Sequence, residues 1–243
     1  MLTQTNFTKQ LILAILFIGI SVLHTSAKER AWSIGYTGNV SYTMMSGLDD
    51  VNTILASKNL PMFSTELAMA TDEGLFLESG KWIFSLGKYN LSSTNQNELE
   101  GWCSDFAGKG GIFKVGYNIL GKSKSDLYIN VGAGSLAMTG VIRPTESKKL
   151  DEIDLINYTS KKIEFKQATT IYQVELVYLY PLLTNVLKCS DLYLGANCSY
   201  RLTHSSKSYL NDSSIDLGNT HFSGFNAGLS LKWSFDILKI INQ

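Results

Sequence analysis

One pair of side chains in this sequence has the spacing of a nucleophile and its base. His204 and Ser206 stand two residues apart, so on a β-strand both would project from the same face. A histidine that hydrogen-bonds a serine can take its proton and activate it for acyl transfer. An orienting carboxylate would have to come from Asp212 or Asp216, in a loop. The other interpretation, which we favour, is a polar strand end that runs into a serine-rich loop.

Charged residues on strand-like segments form a second candidate group. Lys114, Glu175, Arg201 and Lys232 alternate with apolar residues and share their face with Gly, Ser and Asn. An enclosed charge is tolerated only when it is paired and hydrogen-bonded, so these residues predict an interior charge network. Arg201 or Lys232 is the expected partner of Glu175, since these residues lie on neighbouring strands. The sequence has no metal-ligand spacing, glycine-rich phosphate loop or nucleophile elbow, so neither a metal nor a cofactor is predicted.

Composition excludes several classes of protein. The chain has 243 residues, of which 44% are hydrophobic and 17% charged, with only 3 prolines and a formal net charge of zero. Abundant apolar residues and few prolines exclude collagen-like and disordered chains. Zero net charge gives a nucleic-acid partner no electrostatic support. The three cysteines, Cys103, Cys189 and Cys198, have no metal or redox spacing and are interpreted as incidental.

The N-terminal residues predict a signal peptide for export from the cytoplasm. A largely apolar run, Leu11–Leu23, follows Lys9 and precedes Thr25-Ser26-Ala27. This is the order of a Sec-type signal peptide cleaved after Ala27. The run is shorter than the roughly 20 apolar residues that a membrane-spanning helix needs.

The rest of the chain has the period of β-strands. In the last segment Phe225, Ala227, Leu229, Leu231, Trp233 and Phe235 share one face, and Asn226, Gly228, Ser230, Lys232 and Ser234 share the other. Eight such segments are predicted, at residues 32–44, 65–77, 82–90, 112–119, 127–142, 172–180, 192–202 and 225–235. Short links alternate with longer ones at 46–62, 91–104, 144–161 and 205–218, which predicts an up-and-down order.

The chemistry of the two faces indicates which one points outward. The polar face has too few charges for a soluble exterior, whereas small polar residues suit the interior of a narrow barrel. The apolar face has aromatic residues near both ends, as a lipid-facing band does; they are Trp32, Tyr117, Tyr178, Tyr180, Trp233 and Phe235 at one rim and Tyr42, Tyr172 and Tyr200 at the other. The predicted fold is all-β, an eight-stranded antiparallel up-and-down transmembrane β-barrel with short periplasmic turns and long outer loops. A soluble secreted barrel is the alternative.

With these features, residues 31–235 resemble the small eight-stranded outer-membrane barrels of Gram-negative bacteria. The resemblance implies an outer-membrane location, contact with membrane lipids and lipopolysaccharide, and a monomer. It divides the chain into a signal peptide (1–27), a barrel (28–236) and a short periplasmic tail (237–243). The tail is a departure, because the closing aromatic residue of this family is usually terminal, whereas Phe235 is followed by Asp236–Gln243.

Two functions remain open on the sequence. The leading one is a non-enzymatic outer-membrane protein that supports the envelope or binds a surface ligand, as yet unknown, through its long loops. The alternative is a lipid A-modifying enzyme, because the His204-x-Ser206 pair is similar to the catalytic pair of outer-membrane lipid A deacylases. A passive porin is disfavoured, since eight strands leave no continuous water channel.

The first long loop is expected to contain a helix. Ser46-x-x-Asp49 is similar to a capping box, and Leu48, Val51, Ile54 and Leu55 form an apolar stripe at helical spacing. Such a helix could be a lid or a partner-binding element on the cell surface. We favour a loop helix whose stripe packs on the barrel rim.

Overall fold

The fold consists of strands arranged around a closed ring. In the computed structural model the strands are β1 Trp32–Met45, β2 Ala68–Ser79, β3 Trp82–Asn97, β4 Trp102–Asn118, β5 Asp126–Pro144, β6 Ile163–Val186, β7 Ser190–Thr203, β8 Ser206–Leu210, β9 Ile215–Thr220 and β10 Gly224–Asp236, and the helices are α1 Leu48–Ser57 and α2 Ile237–Ile241. The structure describes residues 32–57, 62–63, 68–97, 102–120, 125–144, 163–186, 189–204, 206–210, 215–220 and 222–241. The predicted signal peptide, residues 1–27, lies outside the described residues.

Eight of the strands form the barrel wall. Strands β1 to β7 pair with one another in chain order, and β10 pairs with β7 on one side and β1 on the other. Every pairing is antiparallel, and the pairing of β5 with β6 completes the ring. The predicted eight-stranded antiparallel up-and-down barrel is therefore confirmed. Strands β8 and β9 form an additional hairpin in the last long connection, which was expected to be a loop, and β8 pairs with the extended outer end of β6.

The connections differ in length between the two rims. At the turn rim, Gly80–Lys81 joins β2 to β3, and the other links are residues 119–125 and 187–189. Gly80 has a φ of 62°, a backbone conformation that a tight two-residue turn requires and that glycine adopts readily. The opposite rim, called the outer rim below, carries the links at residues 46–67, 145–162 and 204–223.

The expected long connection at 91–104 is wrong. Strand β3 continues to Asn97 and β4 begins at Trp102, and the two remain paired up to the match of Asn97 with Trp102. Residues 92–97 are all Ser, Thr, Asn or Gln, so this part of β3 has no apolar face and leaves no period-two pattern in the sequence. Strand β6 begins at Ile163, directly after the predicted link at 144–161.

The two faces of the wall are inverted relative to a soluble barrel. Outward-pointing apolar residues are exposed, with Val40 at 52%, Leu229 at 64% and Leu75 at 70% exposure. Inward-pointing polar residues of the same sheet are buried, among them Ser230 and Lys232. The face assignment made from the sequence is therefore confirmed. No helix among the described residues is long and apolar enough to cross a membrane.

Helix α1 closes the outer half of the barrel interior. The predicted helix is confirmed, and its stripe residues Leu48, Val51 and Leu55 are fully buried in an apolar cluster with inward-facing residues of the wall. We call this cluster the outer core; its wall residues include Ala70, Leu91, Phe106, Ile112, Leu136, Met138, Ile142, Phe165 and Ile171. The stripe therefore packs inside the wall and not merely on the rim.

The start of α1 differs from the expected capping box. The Ser46 hydroxyl donates to the backbone carbonyl of Ser223 at 3.0 Å, and no described backbone N–H of the helix donates to it; the carbonyl that accepts from Val51 N–H belongs to Gly47. Asn52, within α1, holds the chain that returns after the helix through two hydrogen bonds to the backbone of Phe63, at 2.7 and 2.8 Å. These two bonds satisfy a buried amide and hold the loop against the outer core.

The C-terminal tail begins with α2, and the Asp236 side chain accepts a hydrogen bond from the backbone N–H of Leu238 at 3.0 Å.

Cys103, Cys189 and Cys198 are all free thiols, with Cys103 buried and the other two partly exposed. None of the three is held in a disulfide.

Candidate functional site

The candidate site is the half of the barrel interior nearest the turn rim, where ionisable side chains from several strands converge. Glycines on the inner face make room for them. A Cβ at Gly116 would lie 1.9 Å from Asn130 Oδ1, and a Cβ at Gly132 would lie 2.9 Å from Lys114 Cγ. Both distances are too short for real atoms, so the network depends on glycine at these positions.

The first group of charges is centred on Lys114 of β4, and we call it the middle cluster. Lys114 Nζ lies 3.0 Å from Glu175 Oε2 and also donates to Asp72. Glu175 accepts further hydrogen bonds from Asn130 at 2.9 Å and Asn39 at 3.2 Å. Glu175 is 3% exposed and Lys114 6%. Three donors around one buried carboxylate satisfy it about as fully as a protein interior can.

The second group is centred on Lys232 of β10 and lies closer to the turn rim; we call it the inner cluster. Lys232 Nζ lies 2.7 Å from Glu78 Oε2 and 3.4 Å from Asp126 Oδ2. It also donates to the Tyr128 hydroxyl at 2.8 Å, and that hydroxyl donates to Glu78 at 2.6 Å. The ammonium therefore has two carboxylates and a phenol as partners.

Aromatic rings complete the surroundings of Lys232. Its Nζ lies 4.8 Å from the ring centroid of Tyr128, 5.1 Å from that of Tyr193 and 5.3 Å from that of Phe76. A cation at these distances from aromatic rings is attracted by their quadrupoles, most strongly when it is desolvated. The cage stabilises a lysine that is 2% exposed.

Arg201 lies apart from both clusters, next to the outer core. It is completely buried, donates from Nη1 to the Tyr89 hydroxyl and stacks its guanidinium 4.7 Å from the centroid of the Tyr89 ring. Its Nε and Nη2 have no hydrogen-bond partner among the described residues. Arg201 is therefore held mainly by an aromatic ring and not by a carboxylate.

The structure corrects the expected pairing of Glu175. Neither Arg201 nor Lys232 contacts it; its cationic partner is Lys114, from a strand two places away in the wall. Long side chains inside a narrow barrel reach across its width, so adjacency of strands does not decide which charges meet. All four residues named from the sequence are nevertheless buried inside the wall.

A small cavity separates the two clusters. Its volume is about 40 Å³, and its polar lining comes from Asn39, Lys114, Asn130, Glu175, Ser230 and Lys232, among others. A polar cavity of this size has room for a small number of water molecules, which could bridge the clusters. Toward the outer rim the interior is filled by Arg201, Tyr89 and then the outer core.

The proposed catalytic pair lies at the outer rim, away from these clusters. His204 follows the last residue of β7 and is exposed, and Ser206 begins β8. The described contacts of His204 are made by its backbone, which donates to Thr170 at 2.9 Å and accepts from the Thr169 hydroxyl. The Ser206 side chain and Asp212 lie outside what the structure describes. No described carboxylate contacts the His204 ring.

Four partners in the network were missed by sequence reasoning. Asp72, Glu78, Asp126 and Tyr128 supply three carboxylates and the phenol, whereas the predicted network has Glu175 as its single carboxylate beside three cations. Glu78 lies one residue beyond the predicted segment 65–77. The signal was present in the parity of β2, where Ala68, Ala70, Asp72, Gly74, Phe76 and Glu78 share the inward face.

No family model and no curated protein matches this chain. Among solved structures it is similar to the attachment invasion locus protein Ail of Yersinia pestis, at 11% identity over 85% of this chain and 97% of that one, with a TM-score of 0.43. It is also similar to Neisserial surface protein A, at 9% identity over 86% and 100% of the two chains, with a TM-score of 0.42. A major outer membrane protein from Thermus thermophilus gives 13% identity, 85% and 98% coverage and a TM-score of 0.47. These similarities concern the fold alone.

Proposed function

We propose that the mature chain, after removal of residues 1–27, is a non-enzymatic barrel of the bacterial outer membrane that supports the envelope or binds surface partners through its outer connections. The inverted wall supports this location, because a soluble protein does not leave a continuous belt of residues such as Val40, Leu229 and Leu231 exposed. A closed ring of strands satisfies every backbone group of the wall, as a membrane requires.

The observation that carries the proposal is the filled interior. The turn-rim half is occupied by two ion-paired clusters and the outer half by the apolar core beneath α1. This arrangement leaves room for a few water molecules but favours no continuous aqueous path. It stabilises the barrel, and it is poorly suited to conduction.

The partners follow from the location. The outward apolar belt contacts lipid tails, and its outer end contacts the headgroups of the outer leaflet, including lipopolysaccharide. A closed barrel has no unpaired strand edge that needs a second chain, which supports a monomer. The long outer connections at residues 46–67, 145–162 and 204–223 are the segments available to a surface ligand.

Single-channel recording tests the filled interior. The purified chain, inserted in a planar bilayer, is expected to give no discrete conductance steps. Val51→Asp places a carboxylate in the outer core, where Val51 is fully buried, and is expected to produce transient currents. Thr53→Asp, on the exposed face of the same helix, is the matched control and is expected to behave like the unmodified chain. Stable conductance steps from the unmodified chain would exclude a filled interior.

A further inference from the structure

The outward apolar belt is not the same height all around the barrel. On β10 every outward residue is apolar along the whole strand: Phe225, Ala227, Leu229, Leu231, Trp233 and Phe235. On β3 the outward residues begin as Trp82, Phe84 and Leu86 and continue as Lys88, Asn90 and Ser92. The apolar part of β3 is therefore much shorter than that of β10.

The difference in height is large compared with the thickness of a membrane. At about 3.3 Å per residue, the apolar run measures about 33 Å along β10 and about 13 Å along β3. With strands tilted by about 40°, these lengths correspond to belt heights of about 25 Å and 10 Å. The β10 side thus matches the hydrocarbon region, and the β3 side does not.

Polar residues of three neighbouring strands form one patch above the short part of the belt. Glu73 of β2 is paired with Lys88 of β3, and Thr71 of β2 with Asn90, which is paired in turn with Lys109 of β4. We call these five outward-facing residues the polar notch. It lies on the outer-rim side of the apolar residues Leu75, Leu86 and Phe113 of the same strands.

The two lysine ammonium groups of the polar notch are available to bind a ligand. Lys88 and Lys109 are exposed, and no described carboxylate lies within ion-pair distance of either. The Glu73 carboxylate already accepts a hydrogen bond from the Tyr36 hydroxyl at 2.7 Å. Asn90 contacts Thr71 at 3.4 Å. The notch therefore has a net positive charge and unused donors, at a level where an uncompensated lysine is costly in hydrocarbon.

We propose that the polar notch is a binding site for the phosphate of an outer-leaflet lipid headgroup, with Lys88 and Lys109 as its cationic donors. Phosphate oxygens accept charge-assisted hydrogen bonds from ammonium groups, and a headgroup drawn into the notch covers the polar surface that lipid tails cannot. A second copy of the chain fits less well. Two copies that met at this patch would have to pair Glu73 of each with Lys88 of the other, but the Glu73 carboxylate already accepts a hydrogen bond from Tyr36. This inference rests on the proposed outer-membrane location.

Native mass spectrometry of the detergent-solubilised full chain measures the binding directly. The probes are bisphosphorylated lipid A and the same lipid A after removal of both phosphates. The double variant Lys88→Gln/Lys109→Gln is expected to bind the phosphorylated probe at least about tenfold more weakly, as for the loss of charge-assisted hydrogen bonds. The unmodified chain is expected to prefer the phosphorylated probe, and inorganic phosphate alone is expected not to compete at equal concentration, since the belt holds the lipid portion.

Two further variants give the control and the rescue. Lys166→Gln removes another exposed lysine on the outside of the wall, one that lies near the outer rim of β6, and is expected to leave binding unchanged. Lys88→Arg/Lys109→Arg keeps both charges and is expected to restore binding. Each variant is checked for a folded barrel by its heat-modifiable migration on gels.

Several outcomes would overturn the notch as a phosphate site. One is that the double glutamine variant binds phosphorylated lipid A as tightly as the unmodified chain, and another is that Lys166→Gln weakens binding as much as the double variant does. The other two are that dephosphorylated lipid A binds as tightly as phosphorylated lipid A, and that the unmodified chain has a dimer mass which disappears with Lys88→Gln. If the chain inserts as a heat-modifiable barrel and binding ignores Lys88 and Lys109, this inference alone fails. If the chain does not insert at all, the proposed location fails with it.

Discussion

Removal of the Glu175 carboxylate should weaken the barrel far more than removal of a glutamate at the rim. Glu175→Ala deletes a group that accepts hydrogen bonds from Lys114, Asn130 and Asn39 at 3.0, 2.9 and 3.2 Å. All four side chains point into the barrel, where lost contacts are not readily replaced by water. The same strand offers a control, Glu164, whose partner Lys166 is 66% exposed and 3.5 Å away.

The magnitude follows from the partners that remain. Breaking a buried ion pair by removing one member costs about 3–5 kcal/mol in unfolding free energy. Lys114 keeps Asp72 as a second carboxylate, so the loss for Glu175→Ala should lie near the lower end, at about 3 kcal/mol. Glu175→Gln keeps an acceptor for the asparagines and should cost less. Lys114→Met leaves two facing carboxylates without a cation and should cost most, about 5 kcal/mol.

Urea unfolding in lipid vesicles or detergent, followed by tryptophan fluorescence and by loss of heat-modifiable migration, gives these values. The expected order of destabilisation is Lys114→Met, then Glu175→Ala, then Glu175→Gln, with Glu164→Ala within about 1 kcal/mol of the unmodified chain, as for a partly exposed pair. Equal and small effects of Glu175→Ala and Glu164→Ala would refute the interior network. A Lys114→Met variant as stable as the parent would show that the cluster contributes no net stability.

Three other predictions concern single features of the fold. Lys232→Met should lower the unfolding free energy by about 3 kcal/mol, because it leaves two largely enclosed carboxylates of the inner cluster without their cation; an unchanged urea midpoint would contradict this. Gly116→Val should prevent folding or shift the midpoint strongly, since even a Cβ there would lie 1.9 Å from Asn130 Oδ1, whereas a normal midpoint would mean that the wall can move. His204→Ala and Ser206→Ala should each leave the acyl pattern of cellular lipid A unchanged by mass spectrometry; loss of an acyl chain only when both residues are present would establish the deacylase alternative.

Period-two alternation made most of the wall predictable from the sequence. Strands β1, β7 and β10 lie entirely within the apolar belt, so their faces differ in polarity along almost the whole length, and their predicted and observed bounds agree to within a few residues. The outer end of β3 projects beyond the belt. There both faces are polar, no alternation remains, and the prediction of a loop at 91–104 is wrong for that reason.

The interior was harder to predict because its contacts are not local. Parity along a strand is enough to bury Glu175 and Lys232, but it does not say that Lys114 reaches past β5 to Glu175 or that Glu78 and Asp126 meet at Lys232. These pairings depend on the register and on the space left by glycines such as Gly116. The burial of the α1 stripe inside the wall likewise depends on how far the loop folds back, which Asn52 and Phe63 determine through their hydrogen bonds.

Fractionation of the cell envelope tests the central claim, that the apolar exterior of this barrel faces lipid in the outer membrane. Cells expressing the full chain are separated into soluble, inner-membrane and outer-membrane fractions, and each fraction is run on gels with and without boiling. The chain should be recovered with the outer membrane, at the size expected after cleavage behind Ala27, and should migrate differently before and after boiling. Recovery in the soluble periplasmic or secreted fraction, with migration unaffected by heat, would contradict a lipid-facing barrel.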